Sequence, residues 1–127
     1  MMLQVTAAAL ASENKGLAHP ASIDNISTGA DQEDHVSMAP WAGRKLLKII
    51  DNLEKILAIE CLCACQAIDE RNGLKTGIGA RFGYNLVREY IKTLNSDRLL
   101  TDDLNVMISL IQSGKFLNSI EKNIKLK

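Results

Sequence analysis

The chain has 127 residues, the size of one small domain, and its 15 basic residues balance its 15 acidic residues to a formal net charge of zero. That balance argues against a nucleic-acid-binding protein and against a polybasic protein of membrane surfaces. Hydrophobic residues make up 46% of the chain and aromatic residues 4%, so the composition excludes a disordered chain and predicts a core of Leu, Ile, Ala and Val.

The first predicted element is a helix over residues 1–17, a segment rich in Ala and Leu that contains no Pro. Residues 2–11 are apolar on every face of such a helix except at Gln4 and Thr6. A helix that is apolar all round needs protein on all sides. We therefore expect this helix to lie inside a larger assembly.

A connecting loop is predicted over residues 18–37, where Pro, Asn, Ser and Gly interrupt the pattern. A long helix follows over residues 38–71, with Ser37 as its N-cap and Pro40 in its first turn. A helix of about 30 residues is a rod of about 45 Å. Its first half is amphipathic, whereas residues 58–68 are apolar nearly all round, so the rod should run from a wet surface into a crowded interior.

The rest of the chain is predicted to be a Gly-rich loop over residues 72–80 and three short helices within residues 81–127. Asn72-Gly73 should end the long helix, Thr101 should cap the middle short helix, and Gly114 should end it. The expected short helices are Arg81–Leu94, Asp102–Ser113 and Phe116–Ile124. No segment alternates like a strand, so the predicted fold class is all-α, with long helices from an elongated helical bundle and no sheet.

Two kinds of site are disfavoured by the sequence. Cys61 and Cys65 share one face of the predicted helix while Cys63 points away, so the three thiols cannot surround a metal ion and are interpreted as small apolar core residues. The Gly-rich loop follows no strand and lacks Gly-Lys-Ser/Thr, which argues against a phosphate site. The sequence therefore predicts no metal site.

No segment resembles a targeting signal or a membrane anchor. The apolar N-terminus is short and has no preceding basic residue, and the run 57–68 is far below the roughly 20 residues that cross a bilayer. An odd number of cysteines without an export signal is typical of reduced thiols. We expect a cytoplasmic protein with no membrane and no nucleic-acid partner. The two segments that need burial on all sides further predict an obligate oligomer or a piece of a longer polypeptide.

The candidate chemistry lies in residues 31–38 (DQEDHVSM), which place three carboxylates, an amide, an imidazole and a hydroxyl just before a helix. In one interpretation these are ordinary helix-end residues, with acids near the N-terminus and Ser37 as the cap. In the other they form a general acid–base or substrate-binding cluster. Residue spacing alone leaves both interpretations open.

This segment closely resembles the histidine ammonia-lyases of the aromatic amino acid ammonia-lyase family. The resemblance spans nearly the whole chain, and its further matches are residues 4–15 (QVTAAALASENK), 19–22 (HPAS), 57–60 (LAIE), 64–67 (ACQA), 77–79 (GIG) and 97–99 (DRL). It implies that the chain is the C-terminal part of a longer enzyme. Such enzymes are homotetramers that eliminate ammonia from L-histidine to give trans-urocanate.

The resemblance also implies the cofactor and the site residues. The family's electrophile is a methylidene-imidazolone formed from Ala-Ser-Gly, a tripeptide that these 127 residues lack, so we expect no cofactor-binding residue here and no activity of the isolated chain. Glu33 matches the family's active-site glutamate and would orient the imidazole or ammonium of the substrate or assist proton transfer. Gln32 and His35 would shape the pocket, and Met1 matches a pocket-lining position.

Two residues depart from the family pattern. Asp31 stands where Asn or a small residue is more usual, and Lys92 replaces an expected proline, which should straighten the third helix.

The sequence leaves two alternative functions open. One alternative is a non-catalytic helical oligomerisation module left by gene truncation. The other is a lyase acting on phenylalanine or tyrosine, although Glu33 favours histidine because the relatives specific for those substrates commonly have a glutamine variant there.

Overall fold

The structure, a computed structural model, describes residues 1–71 and 75–125. Within those ranges it contains five helices and no β-strand, which confirms the all-α prediction. The helices are α1 (Met2–Leu17), α2 (Ala39–Glu70), α3 (Ile78–Tyr90), α4 (Thr101–Gln112) and α5 (Lys115–Glu121). None of the helices in the described ranges is long and apolar enough to cross a membrane. The chain divides into two compact units, Met1–Leu53 and Glu54–Lys127, and α2 contributes to both.

In the first unit, α1 lies beside the first half of α2. The half-buried side chains of α1 recur every three or four residues and so share one face, namely Leu3, Ala7, Leu10, Asn14 and Leu17. The opposite face carries Met2, which is 72% exposed, and Val5, which is 57% exposed. The all-round burial expected for this helix is therefore not reached within the unit, because α2 covers only one of its faces.

Asn52 is the polar side chain at the centre of this α1–α2 contact, with only 3% of its surface exposed. Its amide donates hydrogen bonds to the Glu13 carboxylate (3.0 Å) and to Asn14 Oδ1 (3.0 Å). The Asn14 amide in turn donates to the Ile49 carbonyl (3.3 Å). An unpaired buried amide is costly, so this network fixes how far α1 can slide along α2.

The second unit has a compact apolar core. Its buried side chains come from α2, α3, α4 and the residue that follows α3, and they are Ala58, Leu62, Cys65, Val87, Ile91, Met107 and Leu110. The apolar second half of α2 supplies the first three, as its sequence indicates. Gln66 then joins α2 to the chain after α3, because its amide exchanges hydrogen bonds with the backbone N–H (3.0 Å) and C=O (3.3 Å) of Leu94.

The predicted glycine-rich loop over residues 72–80 is partly wrong, because α3 begins at Ile78 and includes Gly79. Gly83 is buried, and a Cβ there would lie 3.1 Å from Phe116 Cζ on α5. Gly83 therefore allows the close approach of α5, and Gly79 leaves room for Ile124, since a Cβ at Gly79 would lie 2.7 Å from Ile124 Cδ1. The predicted stop at Asn72-Gly73 lies outside the described residues.

The helix ends after α3 also differ in detail from the sequence predictions. Helix α3 ends at Tyr90 and Ile91 is extended, so Lys92 lies beyond the helix that it was expected to straighten. Leu100 rather than Thr101 is the N-cap of α4, without a side-chain hydrogen bond. Gly114 does separate α4 from α5, in the left-handed conformation (φ 72°) that glycine adopts at low cost.

Candidate functional site

The candidate site lies in the segment between α1 and α2, residues 18–38, here called the QEDH loop. Within it the chain reverses direction between Thr28 and Glu33. The Thr28 N–H donates to the Glu33 carbonyl (3.0 Å), and the Glu33 N–H donates to the Thr28 carbonyl (3.2 Å). This reciprocal pair fixes the backbone from which the Glu33 side chain projects.

The tip of this reversal is a run of left-handed residues. Gly29, Ala30 and Asp31 have φ values of 63°, 52° and 66°. Glycine adopts such angles freely, and Asp tolerates them better than most residues, so Asp at position 31 has a conformational reason. The Ser27 hydroxyl donates to the Asp31 carboxylate (2.5 Å), which further closes the tip.

The start of α2 fixes the other end of the loop. The Ser37 hydroxyl accepts a hydrogen bond from the Ala39 N–H (3.3 Å), and α2 begins at Ala39, one residue after the predicted start. Between Glu33 and Ser37 the backbone is held by a side chain, that of Asn25. Asn25 Oδ1 accepts from the Val36 N–H (3.0 Å), and its Nδ2 donates to the Asp34 carbonyl.

The predicted site residues Gln32, Glu33 and His35 are all exposed on this loop. Within the described ranges, no hydrogen bond or ion pair engages the Glu33 carboxylate, so both of its oxygens can accept bonds from a ligand. Met1 lies at the start of α1 and is 97% exposed. The structure thus brings Gln32, Glu33 and His35 together on one loop, whereas no observed contact joins Met1 to them.

Sequence reasoning missed the residues that hold the loop, Asn25 and Thr28. The only sequence signal is an Asn in a loop rich in Ser, Thr and Gly, where Asn side chains commonly bond to nearby backbone groups. That signal does not say which backbone groups are bonded. The contact from Asn25 to Val36 spans eleven positions, beyond any local pattern.

A second polar cluster lies in the second unit and has a structural character. The Asp69 carboxylate accepts hydrogen bonds from Tyr84 (2.5 Å), Arg88 (2.6 Å) and Thr93 (3.0 Å). Burial raises the pKa of Asp69, but these three donors and the charge of Arg88 lower it by more, so the pKa lies below its ordinary value. Both oxygens of the carboxylate accept bonds from protein donors, so the cluster joins α2 to α3 and to Thr93 and has a structural role.

The three cysteines lie along α2 as free thiols in different environments. Cys65 is buried in the core, Cys61 is half-buried, and Cys63 is exposed. The interpretation as core residues therefore holds for Cys65 and only in part for Cys61, and it is wrong for Cys63. In the part of the chain that the structure describes, no group of three His, Cys, Asp or Glu side chains could hold a metal ion.

Comparison with known proteins confirms the resemblance that the motifs indicate. The chain is 51% identical to the histidine ammonia-lyase of Natranaerobius thermophilus over 98% of its own length, which is 24% of that protein. Its structure matches a histidine ammonia-lyase of Trypanosoma cruzi with a TM-score of 0.87 and 43% identity, covering 93% of this chain and 23% of that one. A tyrosine aminomutase of Streptomyces globisporus matches with a TM-score of 0.90 and 32% identity, covering 98% of this chain and 24% of that one.

The chain thus spans about a quarter of the length of the relatives that it matches. Residues 1–89, which include the whole QEDH loop, match a family model described as aromatic amino acid lyase. That model covers well over half of the chain, and the Natranaerobius relative is 51% identical over 98% of the chain. The chain therefore belongs to the aromatic amino acid lyase family.

Proposed function

We propose that this chain forms the Glu33-bearing part of a histidine ammonia-lyase, which eliminates ammonia from L-histidine to give trans-urocanate. The observation that carries this proposal is the 51% identity to a histidine ammonia-lyase over 98% of the chain. The tyrosine aminomutase covers the same share of the chain with only 32% identity. Identity therefore favours histidine over tyrosine as the substrate of the complete enzyme.

The proposed role of Glu33 follows from its carboxylate, which is exposed on a loop whose backbone is fixed. A carboxylate of this kind can accept a charge-assisted hydrogen bond from the substrate's ammonium or from an imidazole N–H, and it can take up a proton. Gln32 and His35 project from the same loop and would shape the pocket around the imidazole. Met1 would line the pocket from the start of α1.

The electrophile has to come from outside these residues. In this family, methylidene-imidazolone supplies the electrophilic centre of the elimination and forms from Ala-Ser-Gly. These 127 residues contain no such tripeptide, so they do not fit a role in forming the group. The contribution of this chain is then to bind and orient the substrate, and we propose that the isolated chain does not release urocanate.

The apolar faces of the first unit support a further part of the proposal, a homo-oligomer. Leu46, Ile50 and Leu53 share one face of α2 and are 54%, 43% and 46% exposed, and α1 adds Met2 and Val5. An exposed apolar helix face of this kind is typical of protein–protein interfaces. We propose that other protein covers these faces in the complete enzyme, with a tetramer as the expected state.

The experiment that tests the proposed function is a hybrid enzyme, in which residues 1–127 replace the matching segment of the Natranaerobius histidine ammonia-lyase. We expect the hybrid to form urocanate from L-histidine, measured by the ultraviolet absorbance of the product. The matched control is the same enzyme with that segment deleted, which should be inactive. A correctly folded hybrid without urocanate formation would contradict the proposal.

A lyase or mutase acting on another aromatic amino acid is the second candidate, favoured by the TM-score of 0.90 to the tyrosine aminomutase. The same hybrid distinguishes the two, because L-tyrosine and L-phenylalanine can be offered in place of L-histidine. Turnover of L-tyrosine above that of L-histidine would favour the second candidate. We expect L-histidine to be the preferred substrate.

A further inference from the structure

One side chain holds the stretch of backbone that directly follows Glu33. The amide of Asn25 donates through Nδ2 to the Asp34 carbonyl and accepts through Oδ1 from the Val36 N–H (3.0 Å). These two backbone groups lie two residues apart, and the amide forms one donated and one accepted hydrogen bond with them, as the backbone of a neighbouring β-strand does. Asn25 is half-buried, and its own N–H donates to the Asp24 carboxylate (2.8 Å).

Glu33 is therefore held on two sides. Its own N–H and C=O are paired with Thr28, and the next residues are paired with Asn25. With both anchors in place, the direction in which the Glu33 side chain leaves the backbone is fixed. Without Asn25, residues 34–36 would have no partner for these two groups other than water, and the chain after Glu33 could rotate.

We infer that Asn25 is a positioning residue for Glu33, acting through the backbone of residues 34–36. The inference rests on the proposed function, in which Glu33 contacts the substrate. It explains why the position carries an amide, because only a group with both a donor and an acceptor satisfies the Asp34 carbonyl and the Val36 N–H together. Aspartate would retain the acceptor and lose the donor, and alanine would lose both.

The first test is hydrogen exchange of the Val36 amide, followed by NMR in this chain. The substitution Asn25→Ala should accelerate that exchange by about tenfold, because it removes the acceptor of the Val36 N–H. Asn25→Asp should leave it slow. The control is Asn123→Ala, which also removes a bond from an Asn side chain to a backbone carbonyl, that of Ser119 (2.9 Å), but outside the loop. An unchanged Val36 exchange rate in Asn25→Ala would overturn the inference.

The second test is a double-mutant cycle in the hybrid enzyme. Asn25→Ala should lower kcat/KM for L-histidine by about tenfold or more, since small displacements of a catalytic group are costly. If Asn25 acts through Glu33, the same substitution should have little further effect in a Glu33→Gln background. Asn25→Asp should restore part of the lost activity.

The outcomes separate this inference from the proposed function. If Asn25→Ala lowers kcat/KM by the same factor in the parent hybrid and in its Glu33→Gln variant, the positioning role is overturned, whereas the proposed lyase function is not. A hybrid that lacks activity before any substitution would overturn the proposed function and, with it, the role of Asn25 in positioning Glu33 for catalysis. The exchange rate of Val36 does not depend on activity, so it decides whether Asn25 holds the loop in either case.

Discussion

Asp69 accepts three hydrogen bonds within the second unit, and its titration should be visible in the stability of the chain. Burial raises its pKa, and hydrogen bonds from Tyr84, Arg88 and Thr93 together with the charge of Arg88 lower it by more. A carboxyl group with a lowered pKa stabilises the folded state above its unfolded pKa, which is about 3.9. That stabilisation is lost as the pH falls through the pKa of the folded state.

We therefore expect the free energy of unfolding to decrease as the pH falls below about 4, measured by urea unfolding across that range. Asp69→Asn should lower the stability at neutral pH and flatten this acid dependence, because the group that titrates is gone. Asp97→Asn removes an exposed carboxyl group of the same unit and serves as the control. An acid dependence in Asp69→Asn as steep as in the parent chain would show that other groups cause it.

The cysteines offer a second test at single positions. Burial raises the pKa of Cys61, with smaller contributions from Cys65 and Glu60, and burial also raises the pKa of Cys65. The thiolate is the reactive form, so both should react slowly with iodoacetamide while exposed Cys63 reacts first. Mass mapping of peptides after short labelling times measures this order. In urea, where the chain is unfolded, Cys63 and Cys65 should react at comparable rates. Comparable rates in the folded chain would contradict the predicted order of reaction.

Helix α3 packs closely on α5 because Gly83 has no side chain. A Cβ at this position would lie 3.1 Å from Cζ and 3.3 Å from Cε2 of Phe116, and the aromatic ring of Phe116 is rigid. We expect Gly83→Ala to lower the free energy of unfolding, because overpacking costs about 1–3 kcal/mol against a gain of about 1 kcal/mol in helix propensity.

The matched control is Gly43→Ala, in the body of α2, where nothing lies within 4 Å of the added Cβ. This substitution gains helix propensity without a clash and should stabilise its unit by up to about 1 kcal/mol. Urea unfolding followed by circular dichroism measures both. Stabilisation by both alanines to the same extent would mean that Gly83 is not needed for the approach of α5.

The helices show which features could be predicted from sequence. The pattern of apolar residues placed α1 and α2 to within about one residue of their observed starts, because burial repeats with the helical period. Gly79 was assigned to a loop because glycine favours turns, whereas it lies in α3, where an added Cβ would lie 2.7 Å from Ile124 Cδ1. The N-cap of α4 also lies one residue earlier than predicted, at Leu100. Arg98 binds Asp103 in the first turn (2.8 Å), a contact that depends on the folded loop rather than on the local sequence.

The candidate site likewise contains residues that the sequence identifies and residues that only the structure identifies. Glu33, Gln32 and His35 could be selected because a motif identifies them, and their common exposure on one loop follows from its polar sequence. The anchors Asn25 and Thr28 could not, because their partners lie five or more positions away along the chain and the turn between them depends on left-handed residues. The pairing emerges only in the folded loop.

The exposed apolar side chains of the first unit predict how the whole chain behaves in solution. Leu46, Ile50 and Leu53 share one face of α2 and are 54%, 43% and 46% exposed. We expect the chain to associate, with a mass by light scattering above that of one copy, because burial of this face is favourable. Replacing Leu46 and Leu53 together by Lys should reduce the association.

Leu99→Lys is the control for that measurement, since Leu99 is 76% exposed on the connection between α3 and α4 of the other unit. It removes more exposed apolar surface per residue than Leu46→Lys or Leu53→Lys, without changing the α2 face. Equal loss of association in the control and in the α2 variant would mean that the contact is not specific to that face. A chain that stays monomeric at all concentrations would contradict the prediction.

The most direct measurement concerns Glu33 in the hybrid enzyme, with kcat and KM for L-histidine determined for Glu33→Gln and for Asp31→Asn. Both substitutions remove one exposed carboxylate from the same loop, but Asp31→Asn keeps an acceptor for Ser27 and a residue that tolerates a left-handed backbone. If Glu33 contacts the substrate, Glu33→Gln should lower turnover by about a hundredfold or more while Asp31→Asn stays close to the parent. Near-normal turnover in Glu33→Gln would contradict the assignment of Glu33 to the active site.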